Sequence, residues 1–304
     1  MNIELFKTFI VVTRLESIYK AGEEIYLTQP AVTKQIQALE QHYGVKLFER
    51  SNKKLLLTEE GKHLLDYAYR IVNLYKESIE STNEKQGAVK GTLRIMANLT
   101  LGIYVLPRII KPFHDAYPDL KIEMFLDNTE HIISAVKRGN ANFGFIGVPP
   151  KEPLIVLHLF CHDKLKVVVG PNMKINKVVT WNELASLPLV QRERGSDIRE
   201  SYEQWFKERD IKLTSRMELN NTEAIKYFVH YGMGFSILPY CTIEQESRAG
   251  LLRVVSVPSF EFTQDYYICN YKGKKLSKPE EVFFEYIFNS VESGKIPILS
   301  APKR

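Results

Sequence analysis

The chain has 304 residues, of which 44% are hydrophobic and 25% charged, and carries a formal net charge of +5. That is the make-up of a soluble globular protein with room for two domains, and the charge is too small to argue for a polyanion partner unaided. Cys161, Cys241 and Cys269 are odd in number and widely spaced, and no signal peptide or long apolar run opens the chain; this argues against secreted and membrane-spanning classes and for buried thiols in a reducing cytoplasm.

Asn2 is placed to cap an opening helix in which Leu5, Phe6, Phe9 and Ile10 follow helical spacing. Two short helices joined by a tight turn follow, capped by Ser17 and Thr28, with Pro30 in the first turn of the second, where a missing N–H costs nothing. Val32, Ile36 and Leu39 of that second helix point inward, so Pro30, Thr33, Lys34 and Gln37 fall on the outward arc, with Gln29 at its edge and Thr28 at its start. Such side chains hydrogen-bond base edges in the major groove. Leu47 to Thr58 reads as two short strands around a basic turn, a wing. Residues 28–54 hold Lys34, Lys46, Arg50, Lys53 and Lys54 against only Glu40 and Glu49. Arg50, Lys53 and Lys54 are suited to neutralise phosphates or enter the minor groove. Residues 1–58 are therefore expected to form a winged helix-turn-helix DNA-binding domain.

The stretches Gln29-Pro30-Ala31-Val32-Thr33-Lys34-Gln35-Ile36, Leu39-Glu40, Gly44-Val45, Leu47-Phe48-Glu49-Arg50 and Leu57-Thr58-Glu59-Glu60-Gly61 resemble the N-terminal signature of LysR-type transcriptional regulators. Thr33 and Lys34 replace the Ser-Arg more usual there, which keeps a hydroxyl and a cation but loses the bidentate fork of arginine. Gly22 stands where that family commonly has alanine, and is expected to loosen the first helix of the pair.

Residues 59–86 contain no proline, and Leu64, Ala68, Ile71 and Tyr75 keep a 4-3-4 rhythm. A helix of that length spans roughly 42 Å, too long to bury against the small domain before it. Its expected partner is the same helix of a second subunit, through those four residues. Residues 87–91, with Gly87 and Gly91, read as a hinge.

From residue 92 the pattern becomes α/β, with strands at 92–97, 121–127 and 142–147 and helices near 101–116 and 129–138. Pro107 is expected to restart the first of these helices and Pro112 to kink it. Leu126-Asp127-Asn128-Thr129-Glu130 reappears as Leu219-Asn220-Asn221-Thr222-Glu223, a constant offset, each copy followed by a helix, a glycine and an apolar strand. The strand end Ala97-Asn98 is matched with Gln191-Arg192. Two related lobes facing each other make a cleft. The resemblance implies a regulatory region like periplasmic binding proteins over 92–304, with lobe 1 at 92–161 and 269–304 and lobe 2 at 162–268. The crossings are placed near His162 and Ile268, and a final helix, Lys278 to Asn289, returns to lobe 1. Asn142 departs from the family pattern, which has an acidic residue there, and leaves its partner open.

Ligands of α/β lobes gather at the carboxyl ends of strands, which here lead to Asn98, Thr100, Asn128, Gly147, Val148, Arg192, Ser196 and Asn221. Helix starts of this kind favour an anionic metabolite, and the resemblance singles out Thr100, Asn128 and Ser196. No GxSxG, HExxH, GxxxxGK or GxGxxG is present. His158 and His162, four apart on a strand, would lie about 13 Å apart, too far to share a metal. A DNA-linked enzyme or a DNA-free solute-binding module are the alternatives, and the basic wing argues against the second. The expected protein is a cytoplasmic, multi-domain α/β regulator, a homodimer or homotetramer, binding double-stranded DNA and a small-molecule effector. It needs no resident cofactor, metal or membrane contact, and RNA polymerase is a further partner.

Overall fold

The computed structural model describes residues 2–51, 54–83, 89–258, 260–294, 296 and 299–301. It opens with α1 (Ile3–Leu15), α2 (Ile18–Glu24), α3 (Gln29–Tyr43), the hairpin β1 (Phe48–Ser51) and β2 (Lys54–Leu57), and the long α4 (Glu59–Asn83). Asn2 accepts from the Glu4 N–H at 3.1 Å and Ser17 from the Lys20 N–H at 3.3 Å, so both caps form. Thr28 occupies the cap position of α3 but its side chain accepts no bond there; its carbonyl takes the Val32 N–H instead. Gly22 is buried within α2, close against the turn that follows it. A Cβ at this position would stand 2.5 Å from the Leu27 carbonyl oxygen, so the bare α-carbon is what lets the turn into α3 close.

Phe6, Phe9, Val12, Val32, Ile36, Leu39 and Leu47 form the first core together with Leu64, Leu65, Ala68 and Val72 of α4. The core of the N-terminal unit thus extends past residue 58. Burying side chains of this size stabilises by roughly 1.5–3 kcal/mol each, enough to fix α4 on α1. Thr58 secures the junction, donating to the Lys46 carbonyl at 2.7 Å and accepting the Gly61 N–H at 3.0 Å.

The α/β region follows as β3 (Gly91–Ala97), a π-helical turn (Leu101–Val105), α5 (Leu106–Ala116), β4 (Leu120–Leu126), α6 (Thr129–Lys137), β5 (Phe143–Ile146) and β6 (Ile155–Val169). The second lobe contains α7 (Trp181–Ala185), β7 (Leu189–Arg192), α8 (Asp197–Lys207), β8 (Ser215–Leu219), α9 (Thr222–His230), β9 (Phe235–Pro239), α10 (Tyr240–Arg248) and β10 (Arg253–Val255). The chain returns through β11 (Thr263–Tyr271) to α11 (Lys278–Glu292). One sheet runs through both lobes in the order β4-β3-β5-β11-β6-β9-β7-β8, with β10 also on β6. β3 pairs in parallel with β4 and β5, and β7 with β8 and β9, whereas β6 and β11 run antiparallel to their neighbours.

Those two antiparallel strands are the crossings. β6 pairs with β11 up to Lys164 and with β9 from Leu165. The return lies near Thr263 rather than Ile268, because β11 is already paired with the lobe 1 half of β6 from Thr263 onward. Phe283, Ile287 and Val291 of α11 complete the lobe 1 core, and lobe 2 has its own around Trp181, Tyr202 and Phe206. The repeat holds in three dimensions: Asn128 and Asn221 cap α6 and α9 with their side chains. Ala97 pairs with Leu126 and Arg192 with Leu219, so the counterpart of Ala97 is Arg192, not Gln191.

Asn142 accepts from the Arg94 N–H at 2.6 Å and donates to Glu280, a carboxylate only 2% exposed that also takes Lys274 at 2.6 Å. A neutral amide suits this position because the acidic group comes from α11. Residues 84–88, which include the first two residues of the expected hinge, lie outside the described residues, and Gly91 at its far end already opens β3. Before that stretch α4 rests on lobe 1: the Asn73 amide donates to the Arg138 carbonyl at 2.8 Å, and the Arg70 guanidinium lies 4.3 Å from the Tyr271 ring centroid.

Candidate DNA-binding face, pairing groove and effector cleft

On α3 the outward side chains Gln29, Pro30, Lys34 and Gln37 are exposed, with Thr28 beside them, while Val32, Ile36 and Leu39 are buried. Thr33 is half-buried and its hydroxyl donates to the Gln29 carbonyl at 2.9 Å, which leaves its lone pairs for a donor. The wing follows directly, with Ser51 facing Lys54 across the hairpin. Buried Glu40 of α3 anchors the wing's entry by accepting the Leu47 N–H at 3.0 Å. Lys53 and the side chain of Arg50 lie outside the described residues. Lys54 is 3.2 Å from Glu16, but both are exposed, and pairs of this kind contribute only about 0–1 kcal/mol. A phosphate would compete successfully for that ammonium.

The expected pairing seam faces inward in part. Ala68 is 0% exposed within the N-terminal core and so is not available to a second subunit, whereas Leu64, 8% exposed, still lines the groove beside Tyr67, and Ile71 and Tyr75 lie on the outward side. The exposed apolar stripe of α4 consists of Tyr67, Leu74, Tyr75 and Ile79, with Ile71 half-buried at its edge. Tyr67 and Ile71 also line an open groove of about 690 Å³ with Tyr43, Val45 and Leu47.

The cleft contains most of the expected ligand residues, but several already have partners. Asn128 and Asn221 are exposed and accept N–H groups of their own helices. Arg192 is 8% exposed and forks onto Glu193 at 2.7 and 2.9 Å, with a third bond to Thr222 at 3.2 Å. Its guanidinium is already engaged within lobe 2. Thr100 and Ser196 are 4% and 6% exposed, and neither side chain caps a helix. Asn98 accepts the Leu101 N–H at 2.9 Å. Gly147 is buried, its carbonyl accepting from Gln264 at 2.7 Å, and Val148 beside it is half-buried.

Residues that the sequence did not single out join the lobes. Asp197, at the start of α8, accepts from Thr129 of lobe 1 at 3.0 Å and also receives the Asn98 amide and the Gly147 N–H. Burial holds its carboxyl above the ordinary value despite those donors. Tyr104 of the π-helical turn donates to Glu223, while Lys226, 5% exposed, lies 2.7 Å from Glu223 and 5.0 Å from the Tyr104 ring centroid. Arg108 reaches Glu244 of lobe 2 at 2.7 Å. The available signal was an acidic residue in a helix's first turn, which by itself suggests only a favourable dipole contact.

Cys161, Cys241 and Cys269 are free and buried, and burial pushes their thiols up, Cys269 to about 12. His158 bonds Asn270 at 3.0 Å and His162 bonds Asp265 at 2.6 Å. Among the described residues no cluster of side chains suits a metal ion, and no helix is long and apolar enough to cross a membrane.

Comparison with known proteins agrees with this layout. The family model described as bacterial regulatory helix-turn-helix protein, lysR family, matches residues 3–62, and that described as LysR substrate binding domain matches residues 86–291. The chain is 33% identical over 298 residues to the HTH-type transcriptional activator CmpR of Synechocystis sp., covering 97% of each. Its fold is similar to full-length CbnR complexed with its target DNA, with a TM-score of 0.70 at 23% identity, over 95% of this chain and 100% of that one. It is also similar to the Synechocystis CcmR regulatory domain in complex with 2-PG, with a TM-score of 0.60 at 26% identity, over 67% and 98%.

Proposed function

This chain belongs to the LysR family and is a DNA-binding transcriptional regulator, not an enzyme; on that premise we propose that α3 and the wing read promoter DNA, that chains pair through α4, and that a small anionic effector in the cleft alters the spacing of the winged helices. The observation that carries the reading is the outward arc of α3, where Gln29, Lys34 and Gln37 are exposed on a helix whose opposite face is fully packed. A rigid helix presenting amides and a cation beside a basic wing has the shape and chemistry of a major-groove reader. Arg50, Lys53 and Lys54 would hold the backbone beside it.

Pairing is supported by the stripe from Tyr67 to Ile79, since a contiguous apolar strip on an exposed helix marks an interaction surface. Two winged helices on one duplex call for at least a dimer, and a homotetramer would join two such pairs. The effector reading is supported by the donors that lobe 1 turns toward lobe 2 at Asn98, Thr129 and Gly147, and a relative is known with 2-PG in the corresponding domain. Three free buried thiols fit a reducing cytoplasm. RNA polymerase is the partner a promoter-bound regulator would meet.

Footprinting of genomic DNA fragments selected by the full chain, with and without a panel of organic acids and phosphorylated metabolites, tests the reading. We expect paired half-sites whose protection changes with an anionic compound. Single unpaired half-sites, or a response confined to cationic compounds, would overturn it.

A further inference from the structure

We propose that the lobe 1 donors around Gly147 form a carboxylate-binding site which Asp197 occupies from within the chain, so that a ligand carboxylate enters the cleft by replacing this residue. The inference rests on the reading of the cleft as an effector site and names the group that must leave it.

Asp197 belongs to lobe 2, yet its carboxylate is solvated by lobe 1. Its two oxygens lie 3.0 and 3.4 Å from the Thr129 hydroxyl, and the Asn98 amide and Gly147 N–H also donate to it. Thr129 opens α6, so the carboxylate sits where the helix's free N–H groups favour negative charge. Gly147 leaves the approach bare: a Cβ there would stand 3.3 Å from Asp197 Oδ2 and 3.4 Å from Asn98 Nδ2. Among the described residues no ion pair neutralises Asp197. A carboxylate with three neutral donors from the opposite lobe and no cation has the surroundings of a bound ligand, not of an internal salt bridge.

A second observation points the same way. Gln264 is 4% exposed, and its Nε2 donates to the Gly147 and Asp265 carbonyls at 2.7 and 3.0 Å, while its Oε1 is buried without a partner. A buried acceptor left unpaired is costly and calls for a donor. The Gln264 amide thus keeps an unmet acceptor beside Gly147, the residue whose N–H solvates Asp197. Because Asp197 and a ligand carboxylate need the same donors, ligand binding and this inter-lobe contact are mutually exclusive, and the ligand shifts the lobes by its preference for the state in which Asp197 has withdrawn.

Removing the internal carboxylate should open the site to an external one. The test is the thermal midpoint of the full chain in acetate against chloride at matched ionic strength and constant pH. Asp197→Ala should rise by a few degrees in acetate, as occupancy well above the dissociation constant produces, while the wild-type chain, whose site is filled, should not. Acetamide, neutral and of the same shape, should have no effect, and adding Thr129→Val to Asp197→Ala should abolish the rescue. Equal acetate shifts in wild type and variant, an equal response to acetamide, or no shift in the variant would each overturn the proposal. If Asp197→Ala does not fold, Asp197→Ser takes its place, since serine is well tolerated at helix starts. Failure of rescue with an effector still found for the wild-type chain removes the role of Asp197 and leaves the cleft reading standing.

Discussion

The Arg138 guanidinium, just past the C-terminal end of α6, donates to Asp66 of α4 at 2.8 Å. Its backbone carbonyl takes the Asn73 amide of the same helix. The opposite end of α6 carries Thr129, which meets Asp197 across the cleft. One nine-residue helix therefore meets the other lobe with its first turn, and the residue that ends it meets α4.

Asp66→Asn should uncouple these ends with little effect on folding. Both partners are partly exposed, so the pair contributes only about 0–1 kcal/mol to stability. Fluorescence anisotropy on a promoter fragment should show unchanged affinity without effector and a reduced effector-dependent change. An undiminished response would place the transmission elsewhere.

Gln29→Ala and Lys53→Ala should fail differently on DNA. The first should cost about 1–3 kcal/mol on the specific site and little on random sequence. The second should weaken both and lower the salt slope by about one. Salt titrations on the two DNAs separate the cases, and equal losses for Gln29→Ala would remove its base-reading role.

The two faces of α4 should respond oppositely to a buried or exposed charge. Leu74 is 67% exposed, so Leu74→Asp should leave the helical circular dichroism intact while light scattering falls to the monomer mass. Ala68→Asp places a carboxylate in the N-terminal core and should cost several kcal/mol, with loss of structure in that unit. A Leu74→Asp chain that stays fully dimeric would show that pairing uses another surface.

Asp163 should make stability fall as pH rises through mild acidity. It is 1% exposed on crossing strand β6, and burial pushes its carboxyl up to about 6, even though the Cys241 and Lys164 N–H groups donate to it and Lys166 attracts it. A folded value above the unfolded one means that the stabilisation is full below about 4 and lost as pH rises through about 6, a difference of roughly 3 kcal/mol. Urea unfolding should show wild type weakening from about pH 5 to pH 7, while Asp163→Asn, which lacks the titrating proton, stays level over that range. Parallel profiles for the two chains would assign the titration to another group.

The sequence by itself determined what depends on neighbours along the chain. The spacing of Val32, Ile36 and Leu39 decides which arc of α3 faces outward, because helical geometry leaves no other choice. The repeat around Asn128 and Asn221 marks two helix starts, because an asparagine side chain reaches N–H groups only two or three residues ahead. The inward face of α4 was not legible in the same way. Both the set Leu64, Ala68, Ile71 and the set Tyr67, Ile71, Leu74 follow helical spacing and share Ile71, and only packing on α1 decides that the first turns inward. Arg192 reads as a free cation until the fold places Glu193 and Thr222 against it. Thr129 and Asp197 are 68 residues apart and meet only because two separately folded lobes close on each other. Contacts of that kind depend on the relative placement of rigid bodies, which is set by β6 and β11 crossing between the lobes and leaves no periodic trace in the residues that meet.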